Sequence, residues 1–137
     1  MGFKDFREIV AWQLAHQLKL RVDLFLGSPD FRRQYKFCEQ LSDAARSGPR
    51  NIAEGHGRFK HKEFAQFVRV AKGSEADVLN HLIDAHDQRL ISTDELVIAE
   101  QLTKRAMQAA AGLIRYLEST PDPGSARQRD DPRRPLV

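Results

Sequence analysis

Apolar residues recur along this chain at intervals of three, four and seven, the spacing of helix faces rather than the alternation of strands. Proline and glycine cluster sparsely and divide the pattern into four long segments. The first runs from about Asp5 to Leu26 and stops at Gly27-Ser28-Pro29. At 100° per residue, Ala11, Leu14, Ala15, Leu18, Val22 and Phe25 share one face of it. Phe6, Ile9, Leu20 and Leu24 fall roughly 200° away by the same helical geometry. A helix that is apolar on two sides must be covered twice, either centrally within its own domain or by another subunit; this second set is the candidate oligomer interface.

The second segment, about Arg32 to Glu54, places Tyr35, Cys38, Leu41, Ala45 and Ile52 on a helical stripe. Ser47-Gly48-Pro49 interrupts it. A proline there removes an amide donor and crowds the Ala45 carbonyl, which predicts a kink or break, with Gly55 and Gly57 ending the segment. The third runs from about Lys60 to Gln88. Phe64, Phe67, Val68, Ala71, Val78, Leu79, Leu82 and Ala85 form its apolar face. Gly73-Ser74 lies mid-segment, where glycine costs about 1 kcal/mol relative to alanine. The expected reason for Gly73 is close approach by a neighbouring backbone near Pro49.

The fourth segment opens at Ser92, with Glu95 three residues later, the spacing of a capping box. Leu96, Ala99, Leu102, Ala106, Ala109, Ala110, Leu113 and Leu117 follow. Residues 119–137 hold four of the six prolines and few apolar residues, so a disordered tail is expected there. Residues 1–118 then make one domain. Four long helices joined by short turns predict an all-α, antiparallel, up-and-down four-helix bundle.

Composition adds limits rather than an activity. The chain has 137 residues, 41% hydrophobic and 30% charged, which suits a folded domain with one core. No apolar run approaches the ~20 residues of a membrane-spanning helix, and no secretory signal opens the chain. The lone Cys38 lies on an apolar stripe, reads as an inert thiol, and fits a reducing cytoplasm. The five histidines, His16, His56, His61, His81 and His86, form no His-x-x-x-His or Glu-x-x-His pair, so neither a metal nor a cofactor is expected.

Charge is distributed unevenly. Between residues 46 and 72 lie Arg46, Arg50, Arg58, Lys60, Lys62, Arg69 and Lys72 against Glu54 and Glu63, a local net of +5 within a chain of +3. Such a stretch can hold phosphates by charge without reading bases. Arg50, Arg58, Lys60, Lys62, Arg69 and Lys72 are the candidate nucleic-acid contacts. Arg50-Asn51-x4-His56 also matches the degenerate Arg-Asn-x4-His pattern of HEPN-type ribonucleases, in which arginine and histidine act together on RNA. That chemistry needs the two side chains to converge, and a helix ending at Gly55 would separate them.

Three blocks in order carry a more specific resemblance. Gln40-Leu41, Ala44-Ala45 and Ser47-Gly48-Pro49-Arg50-Asn51-Ile52-Ala53-Glu54-Gly55 form the central one. Phe6 with Ala11-Trp12-Gln13 precedes it, and Glu63-Phe64, Phe67 and Ala71-Lys72-Gly73-Ser74 follow. Together they resemble the four-helix-bundle proteins encoded in 23S rRNA intervening sequences. Arg33, Gly48 and Asp77 depart from that family's pattern. The resemblance implies a ring-shaped homopentamer and kinship with the basic accessory proteins of diversity-generating retroelements, which bind a reverse transcriptase and nucleic acid. It supplies no catalytic residues. Ser47, Pro49, Asn51, Glu54, Gly55, Gly73 and Ser74 then read as a structural motif. Asn51 and Glu54 would bond backbone opened by Pro49, and Gly55 would take a left-handed C-terminal position. The leading expectation is a non-enzymatic oligomer that binds RNA or a nucleic acid-associated protein. The alternatives are a ribonuclease using Arg50 and His56, or a pure assembly scaffold.

Overall fold

A computed structural model describes residues 3–123. The all-α class is borne out: among these residues there is no strand, and five α-helices follow a short 3-10 turn. The turn, Phe6–Glu8, is capped by Asp5, whose carboxylate accepts from the Arg7 amide at 2.7 Å. Helices α1 (Val10–Leu26), α3 (Tyr35–His56), α4 (His61–Asp87) and α5 (Thr93–Ser119) are long, and α2 (Pro29–Arg32) is a single turn. Ser28 caps α2 and Pro29 opens it, which seats Phe31 fully inside the core. The box at Ser92 forms as its spacing predicts: the Glu95 amide donates to Ser92 Oγ at 3.1 Å, and the Ser92 amide to Glu95 Oε1 at 2.9 Å.

Helix α1 packs on α3 and α5, and α4 packs on the same two. Contacts at both ends give the directions. Ser47 meets Ser74 and Phe37 meets His81 between α3 and α4, while His61 meets Thr120 and His86 meets Thr93 between α4 and α5. Each of these neighbouring pairs therefore runs antiparallel.

The interior divides in two. Ile9, Ala11, Ala15, Ile52, Phe64, Val68, Ala71, Leu113 and Leu117 belong to one cluster, around the start of α1. Leu18, Val22, Phe25, Phe31, Leu41, Val78, Leu82, Ile91 and Ala99 belong to the other. In sequence, Gly48, Glu75, Thr103 and Ala106 fall between the two sets on their respective helices. Glu75 and Thr103 are buried there, so the core has a polar waist where its side chains are small.

Several expectations need correction. Pro49 does not end its helix; α3 continues through it to His56. Gly55 is helical rather than a left-handed cap, and the chain leaves the helix at Gly57 with φ of −73°. The close helix approach is at Gly55, not Gly73. A methyl group on Gly55 would lie 2.8 Å from both Phe64 Cδ1 and Phe67 Cβ, whereas one on Gly73 would meet nothing within 4 Å. Ile9 is not an interface residue. It is 2% exposed and belongs to the chain's own core. The reason is local: Ile9 has extended backbone (φ −78°, ψ 120°) between the 3-10 turn and α1, so the helical phase assumed from Asp5 onward is broken there. Residues 119–122, expected in the tail, are held: α5 reaches Ser119, and Thr120 and Asp122 bond to His61. Of the rest of the expected tail, 124–137 lies outside the described residues.

Candidate functional site

The central motif builds a polar clasp between α3 and α4. Asn51 Nδ2 donates to the Ser47 carbonyl at 2.8 Å and to Ser47 Oγ at 2.9 Å. Across the helix contact, Ser74 Oγ lies 2.7 Å from Ser47 Oγ and 3.0 Å from the Val70 carbonyl. Asn51 thus reaches backbone as the motif implies, but at Ser47; the acceptor that Pro49 deprives of its amide is the Ala45 carbonyl. Glu54 turns outward instead and pairs with Arg58 at 3.0 Å. Serine and asparagine suit this place because short polar side chains can bond within and between helices without filling the space the backbones need.

The candidate cations do not share one surface. Arg50 is exposed on the outer side of α3. Arg46, one turn before it, pairs with Asp23 of α1 at 3.1 Å. Arg58 lies at the α3–α4 turn with its guanidinium carbon 5.1 Å from the centre of the Phe67 ring, and exposed Lys60 follows. Lys62, Arg69 and Lys72 lie on α4 beside α5. Lys62 and Arg69 line an open cleft of about 750 Å³ with Gln66, Leu117 and Thr120. Arg69 and Lys72 border a second, of about 450 Å³, floored by Gly73, Ala76, Met107, Ala111 and Ile114. Arg69 is paired with Glu118. Among the described residues Arg50, Lys60, Lys62 and Lys72 form no ion pair, so the +5 of the linear stretch reduces to fewer available charges on two sides of the molecule.

The ribonuclease pair is separated too. Six helical residues turn the chain by about 240° net, so Arg50 and His56 leave α3 in different directions. His56 Nε2 donates to the Phe3 carbonyl at 2.8 Å, and its ring stands edge-on to Phe64. Cys38 Sγ donates to the Phe31 carbonyl at 2.8 Å, and burial pushes its thiol up, away from the thiolate a nucleophile needs. No group of three metal-ligating side chains comes together among the described residues, and none of their helices is long and apolar enough to cross a membrane.

Of the expected interface set, Phe6 packs edge-on to Trp12, with ring centres 5.2 Å apart, against the first core cluster. Leu20 and Leu24 are 47% and 70% exposed on α1. Sequence reasoning passed over Glu75. Both its oxygens are buried with no hydrogen-bond partner among the described residues, and burial pushes its pKa up to about 8 despite the opposing charge of Lys72. A signal was present: Glu75 stands in the Phe64, Val68, Ala71, Val78, Leu82 series, a carboxylate on an otherwise apolar stripe.

No curated protein matches this chain. The family model described as 23S rRNA-intervening sequence protein matches residues 7–112, well over half of the sequence, and spans the clasp, the polar waist and three long helices with most of the fourth. The resemblance carried by the three sequence blocks is therefore borne out, and the chain belongs to the 23S rRNA-intervening sequence protein family.

Proposed function

We propose that this chain is a non-enzymatic subunit whose α1, α3, α4 and α5 form an up-and-down four-helix bundle, that copies of it assemble into a ring, and that the assembly binds RNA through backbone phosphates. The observation that carries the reading is that four cations of the 46–72 stretch, Arg50, Lys60, Lys62 and Lys72, are exposed or half-buried and form no ion pair among the described residues. Repetition around a ring multiplies a weak patch, because the second and later contacts form at high effective concentration. The bare leucines of α1 support assembly, since covering a leucine side chain is worth about 1.5–3 kcal/mol. The homopentamer is the count implied by the family resemblance.

The test is anisotropy of a labelled single-stranded RNA titrated with protein across salt concentrations, beside native mass spectrometry of the same preparation. Binding by phosphate contact gives an affinity that falls steeply with salt, with a log–log slope of about −0.7 per phosphate on a single strand. Affinity indifferent to salt overturns the electrostatic mechanism. Oligomers that retain no RNA favour the scaffold reading. RNA cleavage that disappears in His56→Ala favours the ribonuclease.

A further inference from the structure

The residues that follow the last core leucine of α5 place their anions on the basic surface of α4. Leu117 is buried and ends the core contact. The next residue, Glu118, holds the Arg69 guanidinium. The chain leaves the helix at Thr120, whose carbonyl accepts from His61 Nδ1 at 2.9 Å. Asp122 Oδ1 then accepts from the His61 backbone amide at 2.9 Å. Within five residues, Glu118, Thr120 and Asp122 thus make three separate polar contacts with the first three turns of α4, and with Pro121 they share the 750 Å³ cleft with Lys62, Gln66 and Arg69.

We infer that Glu118–Asp122 is a built-in competitor strap, holding carboxylates on donors of α4 that RNA phosphates would otherwise take. The inference rests on the RNA reading above and names the regulation of the same surface. Carboxylate and phosphate use the same partners: the guanidinium fork of Arg69 and a helix-terminal amide that has no carbonyl acceptor of its own. The strap is also displaceable. Its Arg69–Glu118 pair is about half exposed on both sides, and pairs of that kind contribute little, so a polyanion with many phosphates can replace it. Lys62 lines the same cleft without an acidic partner among the described residues, which leaves a point where an incoming strand can engage before the strap yields.

The experiment compares wild type, Glu118→Gln/Asp122→Asn, and the charge-matched Asp84→Asn/Asp87→Asn at the far end of α4. Each binds a labelled oligouridine across a salt series, with helicity by circular dichroism as the folding control. The strap variant is expected to bind about three- to tenfold tighter near 50 mM salt, with a log–log slope steeper by about 0.7 as Arg69 becomes available. The control should keep the wild-type slope. A strap variant indistinguishable from a wild type that does bind overturns the strap and leaves the RNA reading standing. Binding by the strap variant alone supports both. No binding by any of the three overturns the RNA reading, and the strap with it. An equal gain in the charge-matched control reduces the effect to net charge and overturns the strap.

Discussion

Both oxygens of Glu75 sit in the waist between the two core clusters, where Gly48 of α3 supplies no side chain and Ala15 of α1 only a methyl group. Thr103, buried in the same waist from α5, gives its hydroxyl to the Ala99 carbonyl at 2.7 Å. Lys72 is the charged neighbour acting on the carboxyl, and it does not offset burial. The native state therefore keeps a proton that the unfolded chain releases near 4.5 and the folded chain near 8. The contribution of Glu75 to stability is expected to be greatest below the lower value and to decline by up to about 1.4 kcal/mol per pH unit between the two. Urea unfolding of wild type and Glu75→Gln across pH 4–9 checks this, since the difference between the two proteins should carry that slope and a flat difference rejects it. Glu75→Met should raise stability at pH 7 by about 1–3 kcal/mol, because it removes an unanswered polar group while keeping its length. A neutral or lower unfolding midpoint would mean that the carboxyl has a partner in solution.

Two helical glycines make opposite predictions for the elements that contain them. Gly55 lets α3 approach the first turns of α4, and a methyl group there must displace Phe64 or Phe67. Gly55→Ala is expected to lose about 1–3 kcal/mol by overpacking. Gly73 faces open space on α4, so Gly73→Ala should gain about 0.5–1 kcal/mol from helix propensity alone. Thermal melts of both variants decide the matter, and a gain at Gly55 or a loss at Gly73 rejects the packing described. Composition marks both glycines as costly inside helices, yet the difference between them depends on a neighbouring helix that lies elsewhere in the sequence. Caps are the reverse case. Ser92 and Glu95 act within one turn of each other, and their pairing was legible directly.

At the scale of the whole molecule, the charged stretch and the apolar ridge are both redistributed by folding. Residues 46–72 lie close together along the chain, but Arg50 is exposed on α3 while Lys62, Arg69 and Lys72 line the clefts beside α5. Asp23, Glu54 and Glu118 then take three of the arginines. Leu20 and Leu24 remain outside, a second face of α1 left uncovered by the rest of the chain. Leu20→Ser/Leu24→Ser is expected to move the protein from oligomer to monomer in sedimentation velocity at micromolar concentration, with its helical circular dichroism unchanged. An unaltered sedimentation profile removes these leucines from the interface.

Periodicity and punctuation were enough for the all-α class, the four long helices, the capping box and the family, because each rests on residues within a few turns or on blocks in a fixed order. Tertiary structure alone decided the rest. Whether Ile9 is core or interface turned on one extended residue that shifted the phase of α1. The partners of Arg69 and His61, Glu118 and Asp122, lie 49 and 61 residues further along the chain. The state of Glu75 depends on Gly48 and its surroundings on other helices keeping water from it. Helical periodicity is a local property of a segment, whereas burial, pairing and proton affinity belong to the surroundings that distant segments create.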